Sequence, residues 1–391
     1  RDDRTSRGLG DVYKRQGRVA DTQSPYDIQA HLHPASVDIA AAAMAFKDVL
    51  IELGTPLNSL VKRLKALLDD KADELETSQR ARIEGAIRGL ELRASGPVAA
   101  WQLMLADIAN GPRDGFVDWM QIDRIDGQDR DIGVARHWLD PTIPFASTVL
   151  EPAHGVTVTS ATLQDQAPRR KPEDAAPSAG APPHDGWQSA LALTGAIHLD
   201  HPSLRASFTS PFDYARQTKV LVVNDLERDR PEATAAAMAG LMKAAGGGGL
   251  GLFTAIRRLK AVYPALLARL EEADLPLFAQ HIDRMNLQTL LAMFREEPES
   301  CLLGTDAVRD GIDVPGAALR LIVFDRMPWP RSDILFQARA EWQGRDAWTD
   351  RIARLKLRQA FGRLIRRADD RGVFVMLDSR PVSYTHLTLP T

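Results

Sequence analysis

Residues 300–325 read SCLLGTDAVRDGIDVPGAALRLIVFD, two short apolar runs around a loop of Gly304, Gly311, Gly316, Asp306, Asp310, Asp313 and Pro315. An apolar run of this length bounded by turn residues is expected to be a buried strand. Outward from it the same alternation continues. Upstream lie KVLVV, a helix around Glu232 to Ala245, LGLFT, a helix through Arg258 to Leu270, LPLFA and a helix around Leu287 to Arg295. Downstream lie QAFGRLIRR at 359–367, expected as a helix, and GVFVML. Strand and helix in alternation imply βαβ units and a parallel sheet covered on both faces. The fold class is therefore α/β, and in such sheets the working residues gather at the carboxyl ends of strands.

The earlier part of the chain has another period. From about Ser36 to Asn110, Leu60, Leu64, Leu67 and Leu68, then Ile83, Ile87 and Leu90, follow helical spacing. Gly54 with Pro56, and Gly96 with Pro97, are expected to stop and start helices, giving a bundle of three or four. FVDWMQIDR and QDRDIGVARHW flank Asp126 and Gly127 and predict a β-hairpin. GVTVTSATL, residues 155–163, suits a buried strand that ends in small hydroxyl residues. Residues 164–186, rich in proline and poor in large apolar side chains, read as a disordered connection. The first 16 residues and residues 382–391 resemble translated adapter sequence and are set aside from the fold.

A chain of 391 residues with 44% hydrophobic and 26% charged residues can fill two or three domains. The formal charge of −3 excludes a globally basic nucleic-acid binder, so any such surface is local. Cys301 is the single cysteine, which excludes an intramolecular disulfide and an all-cysteine metal site; a buried thiol and a cytoplasmic location are expected. No apolar window reaches membrane-spanning length, and no membrane partner is expected.

Spacing also nominates chemistry. Leu357, Phe361, Leu364 and Ile365 make a buried helical stripe, and Gln359, Arg363 and Arg366 fall on roughly the opposite side. Guanidinium forks match phosphate oxygens in pairs, which suits a transferring phosphoryl group. A solvated basic face is the plain alternative. The glycine and aspartate loop could admit a nucleotide closely or could be a tight surface turn. GGGGLG at 246–251 precedes a strand and brings no lysine, so it reads as a flexible turn and not a P-loop. Asp73, Glu74 and Glu76 read as a solvated face, and His31 with His33 as a loop pair without a ligand-spaced carboxylate. Ser160 lacks the histidine and acid of a serine hydrolase.

Taken in order, TSATL, SPFDY at 210–214, LFTAIRRLKAVY, GTDAVRDGIDVPG and QAFGRLIRR resemble the DinG-like and XPD-like DNA helicases of superfamily two, from about Phe116 to Arg380. The resemblance implies a RecA-like second motor domain over 187–381. It also implies a helical, arch-like region over 17–115, and over 116–163 the β-hairpin and last strands of a first motor domain. It implies ATP and Mg2+ as cofactors, single-stranded DNA as partner and movement from five-prime to three-prime. Carried over by position, Arg363, Arg366 and Gln359 would reach the ATP γ-phosphate, and Gly311 and Asp313 would line the nucleotide cleft. Ser160 and Thr162 would couple nucleotide state to DNA. Thr254 and Thr305 would touch the phosphate backbone, with Arg257, Arg258 and Lys260 as the local basic supply. The chain departs from the family at Arg309 and Asp310, where an aromatic and an acid are common, and at Trp329, where phenylalanine is usual. The lysine loop, the magnesium-binding acids and any iron-sulfur cysteines are expected upstream of residue 17, so the piece alone is expected not to hydrolyse ATP. The other function class that fits is a motor-like DNA-binding or scaffold module without catalysis.

Overall fold

The computed structural model describes residues 27–125, 127–164, 186–227 and 229–378. The two terminal stretches set aside above, and residues 165–185 of the expected disordered connection, lie outside them. The chain packs as two units. The first ends at Pro141 and takes in Ser332–Arg339; the second holds Thr142–Arg331 and the chain from Ala340 on.

In the first unit, β1 (Ile28–His31), β2 (Phe116–Ile125) and β3 (Gln128–Trp138) form an antiparallel sheet in that order. The expected hairpin is β2 and β3, paired antiparallel from Phe116 opposite Trp138 to Ile125 opposite Gln128. Met120 and Ile122 bury one face against Ile39, Ala43, Leu50, Val98, Leu105 and Ile108 of the helices Val37–Asp70 and Gly96–Asn110. Ser36 caps the first of these, its Oγ accepting from the Ile39 N–H at 3.3 Å. Gly54 and Pro56 do not break this helix, contrary to expectation. A proline removes one donor and frees one carbonyl, and on an exposed turn water can satisfy that carbonyl. Gly54 instead lets the helix Gly96–Asn110 close in: a Cβ there would sit 3.2 Å from the Gln102 amide. Gln102 donates to the Leu50 carbonyl at 2.8 Å across the same contact. Asp73 and Glu74 lie in the exposed turn before the helix Thr77–Leu90, and Glu76 caps that helix in a capping box with Gln79.

The second unit carries a six-stranded sheet, all of whose pairings are parallel, in the order β4-β9-β8-β5-β7-β6. Its strands are β4 (Thr218–Val222), β5 (Gly249–Leu252), β6 (Leu277–Ala279), β7 (Cys301–Gly304), β8 (Leu321–Phe324) and β9 (Gly372–Met376). These are the apolar runs read in the sequence. Every residue of β5, β7 and β8 is buried, as a parallel sheet covered on both faces requires. One face packs on Met238, Met242, Leu259, Val262 and Leu266 of the helices Pro231–Ala245 and Ile256–Glu271. The other packs on Leu291, Phe294, Leu357 and Phe361, from the helices Leu287–Glu296 and Arg345–Phe361, and on Val308, Ile312 and Val314 of the glycine and aspartate loop.

GVTVTSATL departs from its expectation. It lies outside both sheets and is largely exposed, with Val156 at 51% and Val158 at 48%. A β-branched run becomes a buried strand only where a neighbouring strand takes its N–H and C=O groups, and neither sheet here does so. Of the glycine run at 246–251, Gly249 to Gly251 belong to β5 and the three glycines before it form the turn. Gly246, Gly247 and Gly248 all have positive φ, and a side chain on Gly247 would collide with the Glu299 backbone.

Candidate functional site

The helix Arg345–Phe361 ends earlier than its spacing predicts, one residue before Gly362. The Gly362 N–H still reaches the Arg358 carbonyl at 2.9 Å, but Arg363 and Leu364 bond three residues back, to Ala360 and Phe361, each at 3.0 Å. Asp370 then draws the chain away, its Oδ2 accepting from the N–H groups of Arg366 at 2.7 Å and Arg367 at 2.8 Å. Leu357, Phe361, Leu364 and Ile365 are all buried, as their stripe requires. Arg363 and Arg366 therefore project from a turn, while Gln359 stays half-buried in the last turn of the helix.

Facing this turn is the loop after β7. Arg366 Nη2 lies 3.4 Å from the Asp313 carboxylate, and Arg363 Nη2 donates to the Asp310 carbonyl at 3.0 Å. Asp313 is exposed between buried Ile312 and Val314, which fix the loop from below. Gly311, also exposed, ends the short helix Asp306–Gly311 two residues before it. Arg366 Nε is buried without a hydrogen-bond partner. Burial, with the Arg366 guanidinium next in weight, pulls Arg363 below its ordinary pKa despite Asp313 and Asp310. The site thus holds two neighbouring cations and one directly paired carboxylate. That is an arrangement with donor capacity left for an anion.

The departure at Arg309 has a local explanation. Its side chain is 5% exposed and forks to Asp306 at 2.7 Å and Asp310 at 2.9 Å. Lys356, on the long helix, completes the Asp306 pair at 2.9 Å. Arg309 thereby holds in place the loop that bears Asp313.

A second group sits at the carboxyl ends of the strands. The register Leu252↔Gly304 places Thr254 and Thr305 just beyond adjacent strands. Thr305 donates through both its N–H and Oγ1 to Gln280 Oε1, each at 3.0 Å. His281 Nε2 lies 3.5 Å from the same hydroxyl, its backbone held at φ 68°. Burial and nearby Lys260 pull His281 below its usual pKa, which favours the neutral ring. Gln280 and His281 were missed because LPLFAQH offers no motif; only the sheet places them beside Thr305. Arg258 does not serve as basic supply. Its side chain is 13% exposed and is paired with buried Asp325 at 3.1 Å, and it also donates to Thr234 at 2.7 Å. Arg257 and Lys260 remain exposed.

Ser160 and Thr162 are joined to one another, hydroxyl to hydroxyl, at 3.2 Å. Arg358, beside Gln359, donates to the Gln164 carbonyl at 2.9 Å and so touches the loop that follows them. In the first unit, His33 is no isolated loop residue: its Nε2 lies 3.1 Å from buried Asp118. Among the described residues no cluster of His, Cys, Asp and Glu is placed to hold a metal ion, and no helix is long and apolar enough to cross a membrane.

Residues 238–387 match the family model described as the helicase C-terminal domain. ATP-dependent helicase DinG of Mycobacterium tuberculosis is 35% identical over 207 residues, 50% of this chain and 30% of that protein. ATP-dependent DNA helicase YoaA of Escherichia coli is 31% identical over 185 residues, 44% of this chain and 28% of that protein. The Bacillus subtilis protein named 3'-5' exonuclease DinG is 25% identical over 284 residues, 69% of this chain and 28% of that protein. The chain spans under a third of the length of these relatives.

Proposed function

Over about half of its length this chain belongs with the DinG/XPD-like superfamily-two helicases, as their helicase C-terminal domain region, and on that premise we propose that it is the second motor half of an ATP-driven translocase on single-stranded DNA. The observation that carries the proposal is the pair Arg363 and Arg366, two neighbouring guanidiniums that meet one carboxylate and one carbonyl of the facing loop, with the Arg366 Nε left unbonded. Spare guanidinium donors in a partly buried turn fit the γ-phosphate of ATP. ATP with Mg2+ supplies the phosphoryl transfer, and the chain's own groups stabilise the charge that develops. Gln359 helps to bind the phosphate, and Gly311 and Asp313 line the nucleotide side. Ser160 and Thr162, linked by their hydroxyls, couple the nucleotide state to the track.

Thr254 and Thr305 grip the DNA backbone from the strand ends, with Arg257 and Lys260 as exposed cations nearby. Hydroxyl and backbone donors position a strand without reading its sequence. The track runs five-prime to three-prime in this reading, and the parent works in DNA repair or replication upkeep in the cytoplasm. The chain alone does not hydrolyse ATP, because the lysine loop of the site belongs to the other motor half.

The test has two arms. ATP turnover by the isolated chain with a thymidine oligonucleotide present should be nil, and turnover abolished by Arg366→Ala would overturn the division of the site. Anisotropy of a labelled single strand should report weak binding that falls steeply with salt. Binding indifferent to salt, or stronger for duplex, would overturn the track. In the intact parent, Arg363→Ala and Arg366→Ala should each lower kcat by about a hundredfold or more; unchanged turnover would favour a non-catalytic scaffold.

A further inference from the structure

The segment Ser210–Gln217, SPFDYARQ, is accounted for by neither group of site residues. It brackets the arginine turn from both sides. On the near side the Tyr214 ring packs 5.8 Å from that of Phe361, the last residue of the long helix, and Phe212 packs on Tyr214 at 6.1 Å. On the far side the Gln217 amide, 8% exposed, donates to the carbonyls of Arg367 at 3.2 Å, Ala368 at 3.1 Å and Asp370 at 3.0 Å. Between these anchors lie Gly362 to Arg366, the residues that carry both guanidiniums.

We propose that Gln217 is a positioning residue for Arg363 and Arg366, holding in one shape the turn that presents them to phosphate. Of the two ends of the Gln217 side-chain amide only the NH2 can donate, and its two hydrogens are shared among the three carbonyls. Without it the Asp370 carbonyl, whose bond to Gln217 is buried, loses that donor, and the turn must open to bring the carbonyl to water. Asp370 closes the opposite side, accepting the Arg366 and Arg367 N–H groups on one carboxylate oxygen. The backbone of the turn is thus gripped through its acceptors by Gln217 and through its donors by Asp370. Gln217 touches no phosphate itself; it acts through where the two arginines stand. Phosphate as the ligand rests on the function proposed above, whereas the clamp on the turn does not.

The experiment uses the whole chain with Gln217→Ala and Gln217→Glu, and Arg366→Ala as reference. Gln217→Glu keeps the size but turns acceptors toward acceptors. Amide hydrogen exchange reads the clamp, and calorimetric binding of inorganic tripolyphosphate reads the arginines. Exchange at Arg366 and Arg367 should rise at least tenfold in both Gln217 variants, with the amides of β8 and β9 unchanged. Tripolyphosphate affinity should fall as far as it does in Arg366→Ala. Unchanged exchange at Arg366 and Arg367 would overturn the clamp, and so would a rise spread over the whole unit, which marks a plain core residue. Local opening with full affinity retained, where Arg366→Ala loses it, would overturn the link to the arginines. If Arg366→Ala binds like the unmodified chain, the phosphate reading fails and the exchange result still decides the clamp.

Discussion

The Arg366 guanidinium stands 3.4 Å from the Asp313 carboxylate, which is 76% exposed, so the cation we propose to face phosphate already has an anion beside it. An exposed pair of this kind adds little to stability. Its consequence is competition. Asp313→Asn removes the competing charge and should raise the affinity of the chain for inorganic tripolyphosphate several-fold, while the free energy of unfolding stays within about 0.5 kcal/mol. Titration calorimetry at low salt reads the first and a urea melt the second. Equal or weaker binding by Asp313→Asn would mean that the carboxylate helps to hold Arg366 in place.

The buried pair Arg258 and Asp325 should respond unequally to its two deletions. Burial, ahead of the Arg258 hydrogen bond, leaves Asp325 above its ordinary value of 3.8, so desolvation outweighs the pairing. Arg258→Ala leaves a carboxylate whose side chain is 1% exposed with the longer Arg326 pair at 3.9 Å in place of its hydrogen-bonded partner, and should cost about 3 kcal/mol near neutral pH. Asp325→Asn leaves a neutral amide facing a guanidinium that still bonds Thr234, and should cost less. The sign with pH follows from the raised value: the folded state holds the Asp325 proton more tightly, so the Arg258→Ala deficit should shrink as pH falls toward 4. A deficit equal for both variants, or constant with pH, would speak against burial as the dominant cause.

What the sequence shows and what it hides divide along one line. The strands of the parallel sheet could be read because each is an apolar run closed by turn residues, and those signals are local. The buried stripe of Leu357, Phe361, Leu364 and Ile365 was legible for the same reason, yet the helix itself stops at Phe361. Beyond that stop the chain is held partly from elsewhere: Gln217 donates to the carbonyls of Arg367, Ala368 and Asp370, about 150 residues away. Gly54 and Pro56 looked like a break because local propensity says so, and the packing of Gln102 and Val98 against Gly54 overrides it. Asp313 and Arg366 could be named as candidates from spacing and from the order of motifs. Their contact is a tertiary fact, as are those of Arg358 with Gln164 and His33 with Asp118.

In the first unit, acid should act through Asp118. Burial alone would raise this carboxyl, but the hydrogen bonds from Arg136 and His33, with their charges, overcome it and hold the group below 3.8. Arg136 forks onto both Asp118 oxygens at 2.7 Å and reaches Asp107 at 2.6 Å. A lowered folded value stabilises above the ordinary carboxylate range and is lost as pH falls through it. Helical and strand signals of residues 28–138 should therefore weaken below about pH 4, and Asp118→Asn should flatten that dependence while lowering stability at neutral pH. An acid limb of the same slope in the variant would place its origin in another group.

The glycine run before β5 offers a sharper contrast, because two glycines less than ten residues apart should answer alanine with opposite signs. Gly240 lies exposed in the helix Pro231–Ala245 with open space where a Cβ would stand. Gly240→Ala removes backbone freedom from the unfolded chain and should stabilise by up to about 1 kcal/mol. Gly247 is held at φ 88°, and a Cβ there would meet the Glu299 carbonyl, carbon and Cα. None of these is the movable end of a side chain. Gly247→Ala must therefore shift either the turn or the approach to β7, and should destabilise by about 3 kcal/mol or more. The guanidinium of Arg320 magnifies this, since it donates to the carbonyls of Ala245 and Gly246 on one side and Pro298 and Ala317 on the other. Moving the glycine turn breaks those bonds together. Urea melts of the two variants decide it: a Gly247→Ala cost under 1 kcal/mol would mean that the turn has a second arrangement compatible with a side chain.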